Sequence, residues 1–171
     1  MTKRALIILS DGFEDIEAVA PIDILNRVGV QVTTASLEEG PVRGAYGCTL
    51  HPSTNLAKVS GLFDAIVLPG GKVNAENLAA SPTVIKLIRE HLAANRLVAA
   101  ICASPALVLA QAAGILEGRR ATGTPEMCAI LSTGGAIVTG EPVTVDGNII
   151  TAMGPGAALA FGLKLAELLV G

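Results

Sequence analysis

Cys102 stands at the end of an apolar run in the stretch RLVAAICASPALVLA, with Ala100 two residues before it and Ser104 two residues after. Small side chains at those offsets suit a strand that turns sharply into a helix, the small-x-nucleophile-x-small spacing of a nucleophile elbow. Pro105 fits the first helical turn, where its missing N–H costs nothing. A sulfur held there faces the unpaired N–H groups of a helix N-terminus, which favour thiolate over thiol. The alternative reading is a small buried residue, a common fate of free cysteine.

Two other loops carry residues that would complement such a thiolate. In Leu68-Pro69-Gly70-Gly71, successive glycines after a strand let backbone N–H groups converge on an anion, as an oxyanion hole would, although a plain tight turn reads the same way. No GxGxxG follows a strand, so a dinucleotide site is disfavoured. In SDGFEDIE, Glu14 and Asp15 read as acidic residues complementing the first turn of a helix. Glu17 lies one turn before Pro21, which cannot donate to the carbonyl of residue 17, so the helix is expected to distort beside it. Set among Ile16, Ala18 and Val19, its carboxyl would be desolvated and protonated, ready to donate a hydrogen bond to a thiolate or to shuttle a proton.

A histidine base for Cys102 is not evident. His91, among Lys86, Arg89 and Glu90, reads as solvent-facing, and His51 ends a hairpin strand, so a Cys-His pair of the papain type has no support. Cys48, Cys102 and Cys128 form no CxxC and are odd in number, which argues against zinc and against a disulfide framework. Reduced thiols, no metal and no cofactor are expected.

The elements that position these residues alternate. Arg4 to Leu9 and Val30 to Ala35 read as strands around a helix near Asp15 to Val28; Asp64 to Leu68 and Leu97 to Ile101 flank a helix near Pro82 to Ala94. Continuous apolar strands between helices require a parallel sheet covered on both faces, hence a three-layer α/β/α sandwich with ligands at the carboxyl ends of the strands. Two hairpins interrupt the alternation: Pro41 to His51, bending at Gly44 and Gly47, and Pro142 to Thr151, with a type I′ turn at Asp146-Gly147. After Gly154-Pro155-Gly156 an apolar helix runs to about Val170.

With 171 residues, 51% of them hydrophobic, the chain has the length and apolar content of a single domain spanning 1–171. A net charge of -3 without a basic run disfavours nucleic acid. Leu97 to Leu116 carries no charge, but the break at Cys102-Ala-Ser-Pro fits a buried strand and helix rather than a membrane span. The short apolar run Ala5 to Leu9 is no secretory leader, so a cytoplasmic location is expected. Few aromatics (Phe13, Phe63, Phe161, Tyr46) favour small substrates over large planar ones.

Taken together, KRALIILSDGFEDIEAVAPIDIL, DAIVLPGG, AAICASPALVL and the late GPG resemble the ThiJ/PfpI family, in the branch of the Parkinson-disease-associated protein deglycase, over nearly the whole chain. The resemblance implies a flavodoxin-like homodimer with Cys102 as the reactive cysteine, Glu17 as the glutamate contacting it, and Gly71 and Ala103 as oxyanion donors, Gly70 completing the turn. Three departures stand out. Thr124 takes the place where many members have a histidine before a proline. The chain stops at Gly171 without the extra helix of some members, which implies a more open site or dimer surface. Tyr46 stands where some relatives have an arginine. The implied activity is a glyoxalase or deglycase acting on methylglyoxal, glyoxal and early adducts in carbonyl and oxidative stress defence. The rival readings are a redox sensor or redox-regulated chaperone working through Cys102 oxidation, a PfpI-like peptidase, and an inert domain with a buried thiol.

Overall fold

The computed structural model describes residues 1–171. Eleven strands are formed: β1 (Arg4–Leu9), β2 (Gln31–Ser36), β3 (Val42–Arg43), β4 (Thr49–Leu50), β5 (Thr54–Asn55), β6 (Ala65–Leu68), β7 (Leu97–Ile101), β8 (Arg120–Ala121), β9 (Ile137–Val138), β10 (Val143–Asp146) and β11 (Ile149–Ala152). The α-helices are α1 (Asp15–Arg27), α2 (Lys72–Ala79), α3 (Pro82–Ala93), α4 (Cys128–Thr133) and α5 (Ala158–Val170). Seven strands make the central sheet in the order β10-β11-β7-β6-β1-β2-β5, parallel except for β10.

Both faces of that sheet are buried, which explains why its inner strands are apolar without alternation. Side chains of a strand point alternately to opposite faces. Leu6, Ile8, Ile66, Leu68, Val98 and Ala100 accordingly enter one core. Ala5, Ile7, Leu9, Ala65, Val67, Ala99 and Ile101 enter the other, where Phe161 and Leu165 of α5 cover them. The result is the expected three-layer α/β sandwich. From β1 the chain runs outward through β2 to β5, then returns and runs the other way through β6, β7 and β11. The order reverses between β1 and β6, and the carboxyl ends of strands at such a reversal open the crevice where ligands bind.

Element boundaries differ from expectation in instructive ways. The β10–β11 hairpin pairs Asp146 with Ile149, so Gly147 and Asn148 are the loop residues and only Gly147 has positive φ, at 59°. The turn sits one residue later than predicted and is not type I′. The first hairpin forms with only two residues per strand, β3 against β4. Helix α1 continues through Pro21 without interruption, so no break marks Glu17. The segment after Cys102 is a π-helix, Pro105–Ala112, with Ala113 N–H reaching back to Val108 O at 2.8 Å. π-Helical turns are rare and recur at functional sites. Helix α2, strand β5, the β8–β9 pair and α4 had not been anticipated.

His91 is a correction. It is fully buried, not solvent-facing. Its charged neighbours lie on the outer side of α3, while its Nε2 accepts the Phe63 N–H at 2.9 Å and its Nδ1 lies 2.8 Å from Leu87 O. With both nitrogens so committed the ring is neutral with the proton on Nδ1, and burial lowers its pKa. A depressed histidine value means the unfolded chain takes up the proton first, so this contribution to stability is present above the ordinary value near 6.5 and is lost as pH falls. His91→Ala strands the Phe63 N–H and is expected to cost about 1–3 kcal/mol at pH 8. The deficit should shrink at pH 5, as urea unfolding at the two pH values will show.

Candidate active site

Cys102 follows the last residue of β7 and adopts φ 66°, a left-handed conformation unusual for a residue with a side chain. The strain is held from both sides. Cys102 N–H donates to Ala152 O at 2.9 Å and Cys102 O accepts from Thr124 N–H at 2.8 Å. Ala100 is fully buried, and the Ser104 hydroxyl donates to Pro69 O at 2.6 Å, fastening the elbow to the loop after β6. The backbone N–H groups of Gly71 and Ala103 are directed at the sulfur.

Glu17 arrives from α1. The helix is capped by Glu14, whose carboxylate accepts the Glu17 N–H at 3.0 Å, so Glu14 does more than complement the macrodipole. Glu17 is completely buried; its Oε2 accepts the Gly70 N–H at 2.8 Å, and its Oε1 has no conventional partner. The other group in contact with the carboxyl is the Cys102 thiol. Gly70 lies between the two: a Cβ there would come within 2.3 Å of Glu17 Oε2 and 2.6 Å of Cys102 Cβ. Gly71 has φ 83°, and a Cβ on it would stand 2.1 Å from Gly12 O. Neither position accepts a side chain.

The electrostatics follow from this proximity. Burial, helped by the Glu14 charge, pushes the Glu17 carboxyl up to about 7, against the adjacent Cys102 thiol and the hydrogen bond from Gly70 N–H. Burial likewise pushes the Cys102 thiol up to about 12, reinforced by the Glu17 charge and opposed by the N–H groups of Gly71 and Ala103. The expectation of a thiolate favoured by a helix end therefore needs correction. Burial and, after it, the neighbouring carboxylate outweigh the backbone donors, and the sulfur ionises readily only while Glu17 keeps its proton. Between about 7 and about 12 the pair carries one proton and one negative charge, shared between carboxyl and sulfur.

The remaining expected residues separate. Thr124 is half-buried beside the elbow, but its hydroxyl donates to the Glu126 carboxylate rather than facing the sulfur. His51 is exposed and lines a different cavity with Ser36, Glu39 and Lys58; neither it nor His91 contacts Cys102. Tyr46 is exposed, and Cys48 and Cys128 are free thiols outside the pair, Cys128 Sγ lying 3.8 Å from Thr124 O. Asp15 has a role that spacing did not reveal: its carboxylate accepts the N–H groups of Tyr46 at 3.0 Å and Cys48 at 2.7 Å, tying the β3–β4 hairpin to α1. Burial opposes its charge, but those amides hold the carboxyl below its ordinary value. No helix is long and apolar enough to cross a membrane.

A strained elbow cysteine, a buried glutamate from the first helix and a Gly-Gly loop thus meet at the crevice. The model of the DJ-1/PfpI family matches residues 3–168. The chain belongs to the DJ-1/PfpI family. Among relatives, protein dj-1beta of Drosophila melanogaster is 40% identical over 100% of this chain and 91% of its own length. A deglycase of Pyrococcus abyssi is 31% identical over 97% of this chain and 99% of its own. The crystal structure of Drosophila melanogaster DJ-1beta superposes with a TM-score of 0.94 at 37% identity, over 100% of this chain and 92% of that one.

The raised Glu17 carboxyl has a stability consequence. The folded state binds this proton more tightly than the unfolded chain, so its stabilising contribution is full below the ordinary value near 4.5 and is lost as pH rises through about 7. Glu17→Gln keeps an acceptor for Gly70 N–H and removes the buried charge. It is expected to stabilise the protein at pH 8 by up to about 3 kcal/mol and to have little effect at pH 4. Chemical denaturation at both pH values checks the sign.

Proposed function

We propose that this protein is a cofactor-free glyoxalase or deglycase that acts on methylglyoxal or glyoxal and on their early adducts with amines or thiols. The observation that carries this reading is the Cys102–Glu17 pair, one nucleophile and one proton carrier in contact, with two backbone N–H groups directed at the sulfur. The deglycase among the relatives supports it.

In the reaction, the pair carrying one proton meets the α-oxoaldehyde. The proton rests on Glu17 as the Cys102 sulfur adds to the aldehyde carbon, and the carbonyl electron pair moves onto oxygen beside Gly71 and Ala103 N–H. Protonation of that oxygen by Glu17 gives a hemithioacetal and leaves a carboxylate. The carboxylate removes the hydrogen of the former aldehyde carbon as a proton, forming an enediolate; the remaining hydroxyl proton passes from the first oxygen to the second, and Glu17 returns its proton to the neighbouring carbon. The product is a thioester of the 2-hydroxy acid. Water cleaves it, releasing the acid and the thiol, so methylglyoxal plus water becomes lactate with no net redox change. On an adduct, the same attack would expel the amine or thiol. Thr124 offers no base, so Glu17 must perform each transfer.

A second reading has one observation in its favour. When protonated, Glu17 can donate from its buried, unpartnered Oε1 to an oxygen added to the sulfur, which would arrest oxidation at the sulfinate and make Cys102 a peroxide sensor. A Cys-His peptidase lacks its histidine here. A homodimer is part of the proposal: Ile16 and Val19 are exposed apolar residues on α1, and Tyr46 is held next to its first turn, a surface for a second copy that sedimentation would detect.

Steady-state conversion of methylglyoxal to lactate without glutathione is expected for the wild type. Cys102→Ser should abolish it, and Glu17→Gln should lower kcat by about 10²–10⁴-fold. In the wild type kcat/KM should rise with pH through about 7, as the pair gives up its first proton. Absence of turnover with stoichiometric consumption of peroxide by Cys102 would replace the enzyme reading with the sensor.

A further inference from the structure

One buried side chain next to the site is used by none of these steps. Asn74, in the first turn of α2, is completely buried, and all four hydrogen-bonding positions of its amide are occupied. Oδ1 accepts from Ser10 N–H at 2.8 Å and from the Ser10 hydroxyl at 3.1 Å. Nδ2 donates to Pro69 O at 2.9 Å and to Gly70 O at 3.1 Å. The orientation of the amide is forced, because Ser10 N–H can only donate and the two carbonyls can only accept.

Those two carbonyls belong to the two peptide groups that serve the reactive pair. A peptide group is planar, with its C=O and N–H on opposite sides, so fixing the oxygen fixes the direction of the N–H. The Pro69 carbonyl shares its peptide with the Gly70 N–H that donates to Glu17 Oε2. The Gly70 carbonyl shares its peptide with the Gly71 N–H directed at Cys102. Asn74 therefore holds both planes through a single amide. The Ser104 hydroxyl adds a second grip on Pro69 O, and Glu14 N–H, at 3.1 Å, a second grip on Gly70 O. Glycines at 70 and 71 have no side chains with which to resist rotation, so the loop depends on these external bonds.

We infer that Asn74 is a positioning residue for the Cys102–Glu17 pair, aiming one backbone N–H at the carboxylate and another at the sulfur. Its effect on turnover rests on the enzyme reading above; its effect on the pair does not. Both N–H groups stabilise the negative charge that the pair acquires when it loses its first proton. Loosening them should raise the pH at which the charge forms.

The test follows alkylation of Cys102 by iodoacetamide against pH, read from the mass of the Cys102 peptide, for wild type, Asn74→Ala and Asn74→Asp, each well below its melting temperature. Asn74→Asp has the same shape, keeps the acceptor for Ser10 and loses both donors, so it carries the test should Asn74→Ala not fold. Both variants are expected to move the midpoint of the profile up by ~0.5–1 unit. With methylglyoxal as substrate, kcat should fall ~10–100-fold with a smaller change in KM. A shifted alkylation midpoint in a protein whose wild type turns over no aldehyde would uphold the role of Asn74 and remove the enzyme reading. An unchanged midpoint and alkylation rate, with only a lower melting temperature, would make Asn74 a structural residue and overturn the inference.

Discussion

The absence of a side chain at Gly70 is the constraint on which the site depends. The backbone of the loop after β6 passes between a carboxyl from α1 and a sulfur from β7 with room for a hydrogen atom and nothing larger. Because of that passage, Glu17 and Cys102 can be buried together while a peptide N–H still reaches the carboxylate. The parallel sheet supplies the rest. Its order reverses between β1 and β6, so the segments leaving β1, β6 and β7 converge on one crevice.

Burying two acidic groups in contact costs free energy that the unfolded chain does not spend, and the protein keeps the cost down by retaining one proton between them. The backbone donors then decide where the remaining charge rests. Gly70 N–H favours the carboxylate, Gly71 and Ala103 N–H favour the sulfur, and the carboxyl, ionising near 7 against about 12, holds the larger share. A pair that keeps one proton between two groups can give a proton in one step and recover it in the next, which sequential proton transfers on an α-oxoaldehyde require. The left-handed φ of Cys102 belongs to the same arrangement, since it makes the sharp elbow between β7 and the helical segment that follows.

Much of this was legible in the amino-acid sequence, for identifiable physical reasons. The continuous apolar strands β1, β6 and β7 announce a sheet buried on both faces, and small residues around Cys102 announce a sharp turn. Glycines at 70 and 71 and the acidic start of α1 complete the set of loops. What escaped is what depends on contacts between distant segments. Strands of two residues, such as β5, β8 and β9, have no periodicity to read. His91 looks exposed among its charged neighbours because the pattern of α3 does not show that Phe63 N–H needs an acceptor. Asp15 and Asn74 are ordinary helix residues in one dimension and acquire their roles from backbone groups that the fold brings to them. The state of the thiol escapes the sequence for a related reason. A helix end can be inferred from spacing, but burial and a carboxyl packed against the sulfur outweigh it, and that contact spans the sequence from Glu17 to Cys102.

The most direct test of a shared proton is the carboxyl ¹³C resonance of Glu17, followed against pH in the wild type and in Cys102→Ser. In the wild type the shift should move with a midpoint near 7 and stop short of full ionisation, the rest of the change appearing only as the sulfur ionises toward about 12. In Cys102→Ser the same resonance should reach the full carboxylate shift in a single step. A Glu17 resonance that titrates completely near 4.5, indifferent to the residue at 102, would contradict the account.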